Sequence, residues 1–150
     1  MFLEYDWGTP AYAASIILRQ DILRLPLGMK FSINELAEEY KYRHFAIFDE
    51  CMNIKACLYI KNLGDNKYQL KQMAVQRRLQ GKGYGSKLIK NVERCLRNAD
   101  EDVKLILHAR ETAVGFYKHL DYEIVSKKFI EIGLTHYKME KILQKLKKTY

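Results

Sequence analysis

The sequence predicts an α+β fold built on a mixed sheet, with the element order β-α-α-β-β-β-α-β-α-β-β along 150 residues. Three observations carry this prediction. Short apolar runs that alternate with polar residues indicate strands, and apolar residues at helical spacing indicate helices. Capping residues mark where helices begin, and clusters of glycine, asparagine and aspartate separate strands. The length, with neither a repeat nor a linker in the sequence, predicts one domain covering residues 1–150.

Two helices are predicted near the N-terminus. Thr9 and Pro10 are typical of an N-cap and of the first helical position. Residues 25–28 contain proline and glycine and end this first helix. Residues 32–35, Ser-Ile-Asn-Glu, form a capping box that predicts a second helix to about Tyr40. The apolar face of the first helix is predicted from four residues at helical spacing: Ala14, Ile17, Leu18 and Ile22.

The rest of the chain is predicted as six strands and two helices. The helices cover residues 83–98 and 111–119, and a turn at 50–53 exposes Cys51. The apolar face of the helix over 83–98 is predicted to contain Tyr84, Leu88, Val92, Cys95 and Ala99. With an edge strand over 2–7, the strands are predicted over residues 44–49, 54–61, 67–75, 103–109, 122–130 and 135–141.

The most informative stretch is residues 70–86, which read LKQMAVQRRLQGKGYGS. Gly81, Gly83 and Gly85 stand at alternate positions between a predicted strand and a predicted helix. Glycine permits positive φ angles and lets backbone N–H groups approach a ligand closely. The positive end of the helix dipole points at the same place. The stretch therefore predicts a cradle for a diphosphate.

Two common phosphate-binding motifs do not fit this stretch. A P-loop requires Gly-Lys-Ser/Thr, whereas residues 85–87 read Gly-Ser-Lys. A dinucleotide fingerprint counted from Gly81 requires glycine where Ser86 stands. The pattern that fits is Arg/Gln-x-x-Gly-x-Gly/Ala, filled by Arg78, Gly81 and Gly83.

On this pattern the sequence resembles the GNAT superfamily, the Gcn5-related N-acetyltransferases, whose loop for the pyrophosphate of acetyl-CoA has the same form. Residues 73–75 resemble the end of the family's strand 4, and residues 84–96 resemble its helix 3. Residues 108–122, HARETAVGFYKHLDY, resemble a later family segment, although Arg110 replaces a common Asn and Asp121 a common Gly. The ending over 133–140, GLTHYKME, resembles ElaA-like members.

The resemblance implies a fold and an activity. The fold is a GNAT-like mixed, mostly antiparallel sheet that is splayed between strands 4 and 5 and flanked by about four helices. The activity is N-acetyl transfer from acetyl-CoA to a primary amine of a small molecule or a protein, by direct attack in a ternary complex. The alternative is a non-catalytic, regulatory module that binds acetyl-CoA. No metal is expected.

The resemblance also implies which residues bind the cofactor. Backbone amides of residues 78–85 hold the diphosphate, and Arg78 and Lys82 add positive charge. The N–H of Met73 points at the thioester carbonyl, and Arg110 either contacts the pantetheine or caps the helix that begins at Glu111. The complete predicted set is Met73, Ala74, Val75, Arg78, Gln80, Gly81, Lys82, Gly83, Tyr84, Gly85, Ser86, Arg110 and Phe116.

Tyr117 is the general acid that the resemblance implies. A phenol has a pKa near 10 and can donate to a departing thiolate while it stays protonated at neutral pH. The alternative is that Tyr117 only packs beside Phe116. The base is open: Gln69 stands where a branch of the family has glutamate, so His136 or His108 could accept the proton, or no base is needed.

Composition limits partners and location. The net charge of +8 indicates either nucleic acid or a bound polyanion, and coenzyme A favours the second; part of the excess lies in a predicted basic tail over 138–148. Three cysteines without metal-site spacing predict reduced thiols in the cytoplasm. No membrane segment, signal peptide or nucleic-acid partner is predicted, and a homodimer remains open. The carboxylates Asp21, Glu35, Glu38 and Glu39 either attract a cationic amine or form a solvated helix face.

Overall fold

The computed structural model describes residues 1–146 and confirms the predicted α+β class. Within that range, eight strands and four α-helices follow one another in an order close to the predicted one. They are β1 (Phe2–Tyr5), α1 (Pro10–Arg19), α2 (Ile33–Glu38), β2 (Arg43–Phe48), β3 (Ile54–Gly64), β4 (Lys67–Val75), α3 (Tyr84–Leu96), β5 (Val103–Arg110), α4 (Val114–His119), β6 (Glu123–Ile124), β7 (Phe129–Glu131) and β8 (Leu134–Leu143). The hydrogen-bonded strand order is β1-β2-β3-β4-β5-β8-β6, and β7 pairs with β8.

The chain packs as two compact units, the first of which comprises residues 1–61 and 72–95. In this unit β1 pairs with β2, and β2 pairs with β3, both antiparallel. Alternate side chains of these strands meet one face of α1. The buried cluster of this unit consists of Leu18, Ala46, Phe48, Ile54, Cys57 and Ala74.

Capping residues start α1 and α2 as the sequence predicts. The Thr9 hydroxyl accepts the Tyr12 N–H at 3.3 Å, and proline occupies the first turn of α1. Ser32 and Glu35 exchange both hydrogen bonds of a capping box at the start of α2. The predicted apolar face of α1 is wrong at Ile17, which is 72% exposed. The helical path continues beyond α1 as a π-helical turn over Gln20–Arg24, which the periodicity did not indicate.

α3 buries a face somewhat different from the predicted one. Leu88 and Val92 are buried as expected, but Cys95 and Ala99 are exposed. Ile89 and Leu96 are buried instead. The helix ends at Leu96, so Ala99 follows the last helical turn and has no place on the face.

The second unit comprises residues 62–71 and the chain from residue 96 onward. The first part of β4 runs parallel to β5, with Tyr68 opposite Leu105. β5 is antiparallel to β8, with Leu107 opposite Met139. On β5 residues of both parities are buried, among them Leu105 and Ile106, because both faces of this strand are covered.

The single strand predicted over 122–130 is wrong, because the chain divides there into β6 and β7. Both short strands pair with β8, Glu123 opposite Glu140 and Phe129 opposite His136. Between them the hydroxyl of Ser126 accepts the Lys138 N–H at 2.9 Å and so replaces a strand partner. The predicted basic tail over 138–148 is also wrong in its first part, because residues 138–143 belong to β8. Its end, from residue 147, lies outside the described residues.

Candidate active site

The glycine-rich loop joins the end of β4 to the start of α3, within the first unit. After Val75 the Gln76 N–H donates to the Lys55 carbonyl at 2.9 Å, and a 3₁₀ turn covers Arg77–Leu79. Gly81 and Gly83 then have φ angles of +77° and +90°. L-residues with a side chain rarely adopt such angles, so both turns favour glycine.

The loop leaves backbone donors at the N-terminus of α3. The first hydrogen bond of the helix runs from the Lys87 N–H to the Gly83 carbonyl at 3.0 Å. The N–H groups of residues 84–86 therefore have no carbonyl behind them in the helix. A Cβ atom added at Gly81 or Gly83 would meet nothing within 4 Å, so the space over the loop is open. Free donors beside open space, at the positive end of a helix, suit an anionic diphosphate.

Three cations from two segments line a groove beside this loop. The groove has a volume of about 670 Å³ and includes Arg78, Lys82 and Lys55 in its lining. Sequence reasoning missed Lys55, which comes from β3 and carried no motif. Its ammonium donates to the Tyr84 hydroxyl at 3.2 Å and lies 4.9 Å from the centre of that ring. The chain folds Lys55 against the first residue of α3, although 29 residues separate the two.

Two side chains of this loop, those of Arg77 and Gln80, make local hydrogen bonds. Arg77 donates to the backbone carbonyl of Asp21 at 3.3 Å, whereas Arg78 lines the groove. The side-chain amide of Gln80 donates to the Val75 carbonyl at 3.2 Å, which ties the loop to the end of β4. This contact leaves the backbone of Gln80 for the predicted cofactor contact.

β4 contains a conformational irregularity just before the residues predicted to meet the cofactor. Its parallel register with β5 covers Lys67–Leu70. Gln72 then has a φ of +51°, which is uncommon for a residue with a side chain. Ala74 is buried, whereas Met73 and Val75 are half-buried.

A buried ion pair lies against this irregularity. Arg19 and Glu39 are 1% and 2% exposed, and their side chains form two hydrogen bonds of 2.7 and 2.9 Å. Arg19 also donates to the Gln72 side-chain oxygen at 2.7 Å. Burial acts to lower the pKa of Arg19, but the hydrogen bonds and the charge of Glu39 outweigh it and raise that pKa. Arg19 therefore stays charged. No sequence signal indicated this cluster.

The four carboxylates predicted as candidates for attracting an amine are all paired. Glu39 forms a buried ion pair with Arg19, and the other three carboxylates lie on the surface with basic partners. The pairs are Asp21 with Arg77 at 3.6 Å, Glu35 with Arg24 at 3.0 Å, Glu38 with Lys41, and Glu39 with Arg19 at 2.7 Å. Exposed pairs of this kind contribute little to stability, but each neutralises its carboxylate.

Tyr117, in the second unit, has an uncommitted hydroxyl. Its ring packs edge-on against Phe116 and Tyr122, with centroid distances of 5.0 and 5.9 Å. Within residues 1–146 the hydroxyl has no hydrogen-bond partner. Burial raises the pKa of Tyr117 to about 12, so the phenol is protonated throughout the neutral range.

His136 and His108 have different surroundings in the second unit. His136 is 5% exposed, and its Nδ1 lies 2.9 Å from the Leu134 carbonyl. A carbonyl only accepts, so Nδ1 carries a proton, and in the neutral ring Nε2 has the free lone pair. His108 is exposed, and its Nδ1 contacts the Glu131 carboxylate at 2.9 Å.

Arg110 stands opposite His136 in the β5–β8 register. The turn at Glu111–Ala113 follows it directly, but the Arg110 side chain makes no capping hydrogen bond there. The capping alternative is therefore wrong, and the contact with pantetheine stays a prediction. Phe116, also predicted to touch the cofactor, is half-buried beside Tyr117.

Among residues 1–146, no group of three or more His, Cys, Asp or Glu side chains could hold a metal ion. None of the helices in that range has the length and hydropathy needed to cross a membrane.

Comparison with known proteins decides the family. A model of the acetyltransferase (GNAT) domain matches residues 32–143. The chain belongs to the GNAT family. Membership places it among the acyl-CoA-dependent N-acetyltransferases. No protein of curated function shows a significant match to the sequence.

Solved structures show the same GNAT-like fold. ElaA from Escherichia coli is 16% identical, with coverage of 93% of this chain and 97% of that one and a TM-score of 0.77. The ribosomal-protein-S18-alanine N-acetyltransferase from Escherichia coli is 15% identical over 100% and 99% of the two chains, with a TM-score of 0.73. An aminoglycoside 6′-N-acetyltransferase complexed with coenzyme A is 15% identical over 95% and 96%, with a TM-score of 0.70. The predicted fold and family are thereby confirmed.

Proposed function

We propose that this GNAT protein transfers an acetyl group from acetyl-CoA to a primary amine by direct attack in a ternary complex. The observation that carries the proposal is the loop before α3, where Gly81 and Gly83 expose backbone donors to open space. The similar structures include one named for a small-molecule acceptor and one named for a protein acceptor. Both acceptor classes therefore stay within the proposal. A cytoplasmic location belongs to it too, supported by three free cysteines.

The first unit supplies the groups that bind the acetyl donor. The N–H groups of residues 84–86 bind the diphosphate, and Arg78, Lys82 and Lys55 offset its charge. The Met73 N–H donates to the thioester carbonyl as the amine attacks it. An oriented donor to a developing oxyanion contributes about 3 kcal/mol in comparable sites.

Tyr117 assists the departure of the thiolate. A thiolate of pKa about 8.5 cannot fully take a proton from a phenol whose pKa is about 12 without a cost of about 5 kcal/mol. Tyr117 therefore acts first as a hydrogen-bond donor to the leaving sulfur. The proton that the amine loses then replaces the one that Tyr117 gives up. The amine thus loses one proton and the thiolate gains one, and Tyr117 ends the cycle protonated.

His136 is the proposed base. Its Nδ1 proton is held by the Leu134 carbonyl, which leaves Nε2 to accept a proton from an incoming ammonium. His108 is the alternative base, because Glu131 holds its Nδ1 in the same way and also leaves Nε2 to accept a proton. An amine that arrives neutral would need no base.

The decisive experiment combines a radiolabelled acetyl-CoA screen over many amines with Tyr117→Phe. We expect Tyr117→Phe to keep coenzyme A affinity within a few-fold, while kcat falls about 100-fold, the usual scale for losing a general acid. Tyr137→Phe, which removes the hydroxyl of another half-buried tyrosine, is the matched control and should keep wild-type kcat. Wild-type kcat in Tyr117→Phe would reduce Tyr117 to a packing residue. Tight binding of acetyl-CoA with no transfer to any amine would support the regulatory alternative.

A further inference from the structure

The buried ion pair and the irregularity of β4 meet at one residue, Gln72. Its φ of +51° places it in the left-handed region, where glycine and asparagine are common and glutamine is not. Such a conformation persists when surrounding contacts determine it, and it is often found at functional sites. Here the surrounding contact is the hydrogen bond of 2.7 Å from Arg19 to the Gln72 side-chain oxygen.

Arg19 is itself fixed on every side. Glu39 accepts two of its hydrogen bonds, at 2.7 and 2.9 Å. The Tyr12 hydroxyl donates to the same Glu39 carboxylate at 2.7 Å, and the His44 ring bonds the Glu39 backbone carbonyl at 2.7 Å. The guanidinium also lies within 6 Å of three aromatic ring centres, those of Tyr12, Phe31 and Tyr59. A charge so enclosed cannot shift without breaking several contacts at once.

The backbone at Gln72 determines where the next N–H points. The peptide plane between residues 72 and 73 carries the N–H of Met73, and the dihedral angles of Gln72 orient that plane. An anchor on the Gln72 side chain therefore acts on the Met73 N–H through two bonds of the main chain. A donor to an oxyanion is useful only within a narrow range of distance and direction.

We propose that Arg19 and Glu39 form a rigid mount that holds Gln72 in its left-handed conformation, and that Gln72 thereby aims the Met73 N–H at the thioester carbonyl. Gln72 and Arg19 are positioning residues, since neither touches the reacting atoms. The inference rests on the proposed function, because it assigns a purpose to the same N–H. It adds that the precision of this donor comes from α1 and from the chain after α2, through a contact 53 residues apart in sequence.

The test compares three variants on β4. Gln72→Met keeps the length of the side chain but removes the oxygen that Arg19 binds. Gln72→Glu keeps an acceptor and serves as the rescue variant. Gln69→Met makes the same chemical change at another half-buried glutamine of the same strand, one that makes no contact with Arg19, and serves as the control. Thermal melts establish that each variant is folded.

The first readout is the thioester carbonyl itself, which needs no acceptor. Infrared difference spectra of acetyl-CoA labelled with ¹³C at the carbonyl should show a band shifted to lower frequency on binding to wild type, Gln72→Glu and Gln69→Met. In Gln72→Met the band should lie close to that of free acetyl-CoA, while the Kd stays within about threefold. An unchanged shift in folded Gln72→Met would overturn the proposal.

The second readout is turnover with whichever amine the screen identifies. Gln72→Met should lower kcat about 10- to 100-fold with little change in KM for acetyl-CoA, the effect expected of a misplaced donor. A fall in melting temperature with full kcat would show a purely structural role and would refute the positioning claim. Wild-type protein that binds no acetyl-CoA would overturn the proposed function and this proposal together. If the wild-type protein is active and Gln72→Met has the same carbonyl band and the same kcat, this proposal alone is overturned.

Discussion

Replacing Gly83 by alanine tests the diphosphate cradle, and the chain offers an unusually close control. Gly83 has a φ of +90°, and Gly64, the last residue of β3, has a φ of +81°. A Cβ at either position would meet nothing within 4 Å. Both alanine variants therefore carry the same kind of backbone strain, about 1–2 kcal/mol, without a clash in the ligand-free protein. For a chain of 150 residues this lowers Tm by about 2–8 °C in both.

The two variants should differ in their affinity for coenzyme A. At Gly83 the new methyl group occupies space over the loop, where the diphosphate would approach the N–H groups at the start of α3. Losing one hydrogen bond to a charged group costs about 1.5–3 kcal/mol. This loss corresponds to a Kd about 10- to 150-fold weaker. Gly64→Ala leaves those donors untouched and should keep the wild-type Kd.

Calorimetric titration with coenzyme A at fixed ionic strength measures both constants. Thermal melts with and without acetyl-CoA provide a second measurement, because a ligand that binds only the native state raises Tm by mass action. At 100 times Kd, this stabilisation is about 2.7 kcal/mol for wild type. A folded Gly83→Ala variant with wild-type Kd would refute the cradle. Equal weakening in both variants would assign the effect to general destabilisation.

Two further substitutions test a missed residue and a buried histidine. Lys55→Met removes one cation of the groove and should weaken coenzyme A binding about 5- to 10-fold in titrations. Lys61→Met, on the same strand, is the control and should keep the wild-type Kd. Equal Kd values for the two variants would show that Lys55 does not belong to the site. Burial lowers the pKa of His44 in the folded protein. Below about pH 6.5 the histidine is therefore protonated in the unfolded chain before it is protonated in the folded protein. The free energy of unfolding then falls as the pH falls, by at most about 1.4 kcal/mol per pH unit. His44→Gln keeps a donor to the Glu39 carbonyl and should lose this component in urea titrations at pH 7, 6 and 5; a slope identical to wild type would contradict the assignment.

Local signals in the sequence were sufficient for much of the fold. The bounds predicted for β4, residues 67–75, agree with the structure, because asparagine and glycine turns precede it and a charged turn follows it. Thr9 and the capping box at Ser32 depend only on residues three positions apart, so they too could be predicted. The positive φ angles of Gly81 and Gly83 follow from residue type in the same way.

Tertiary contacts determined what the sequence could not indicate. Gln72 has a left-handed backbone without being glycine, and Arg19, which stabilises it, lies 53 residues away. Lys55 joins the loop groove through Tyr84 for the same reason. Periodicity also failed at Ile17, where a helix in partial contact with the sheet exposes a residue whose spacing fits its apolar face.

The distribution of charge in the first unit indicates how donor and acceptor are distinguished. Each of the four acidic side chains predicted to attract an amine has a basic partner, so none offers an unpaired carboxylate to a cation. Arg78 and Lys82, by contrast, take part in no ion pair within residues 1–146 and lie beside the exposed N–H groups at the start of α3. The groove beside the loop therefore has three cationic side chains in its lining against one carboxylate, that of Asp49, and its net charge favours an anion. We infer that charge recruits the coenzyme to this groove, whereas the four carboxylates that the sequence offered for the acceptor supply no unpaired charge to recruit the amine.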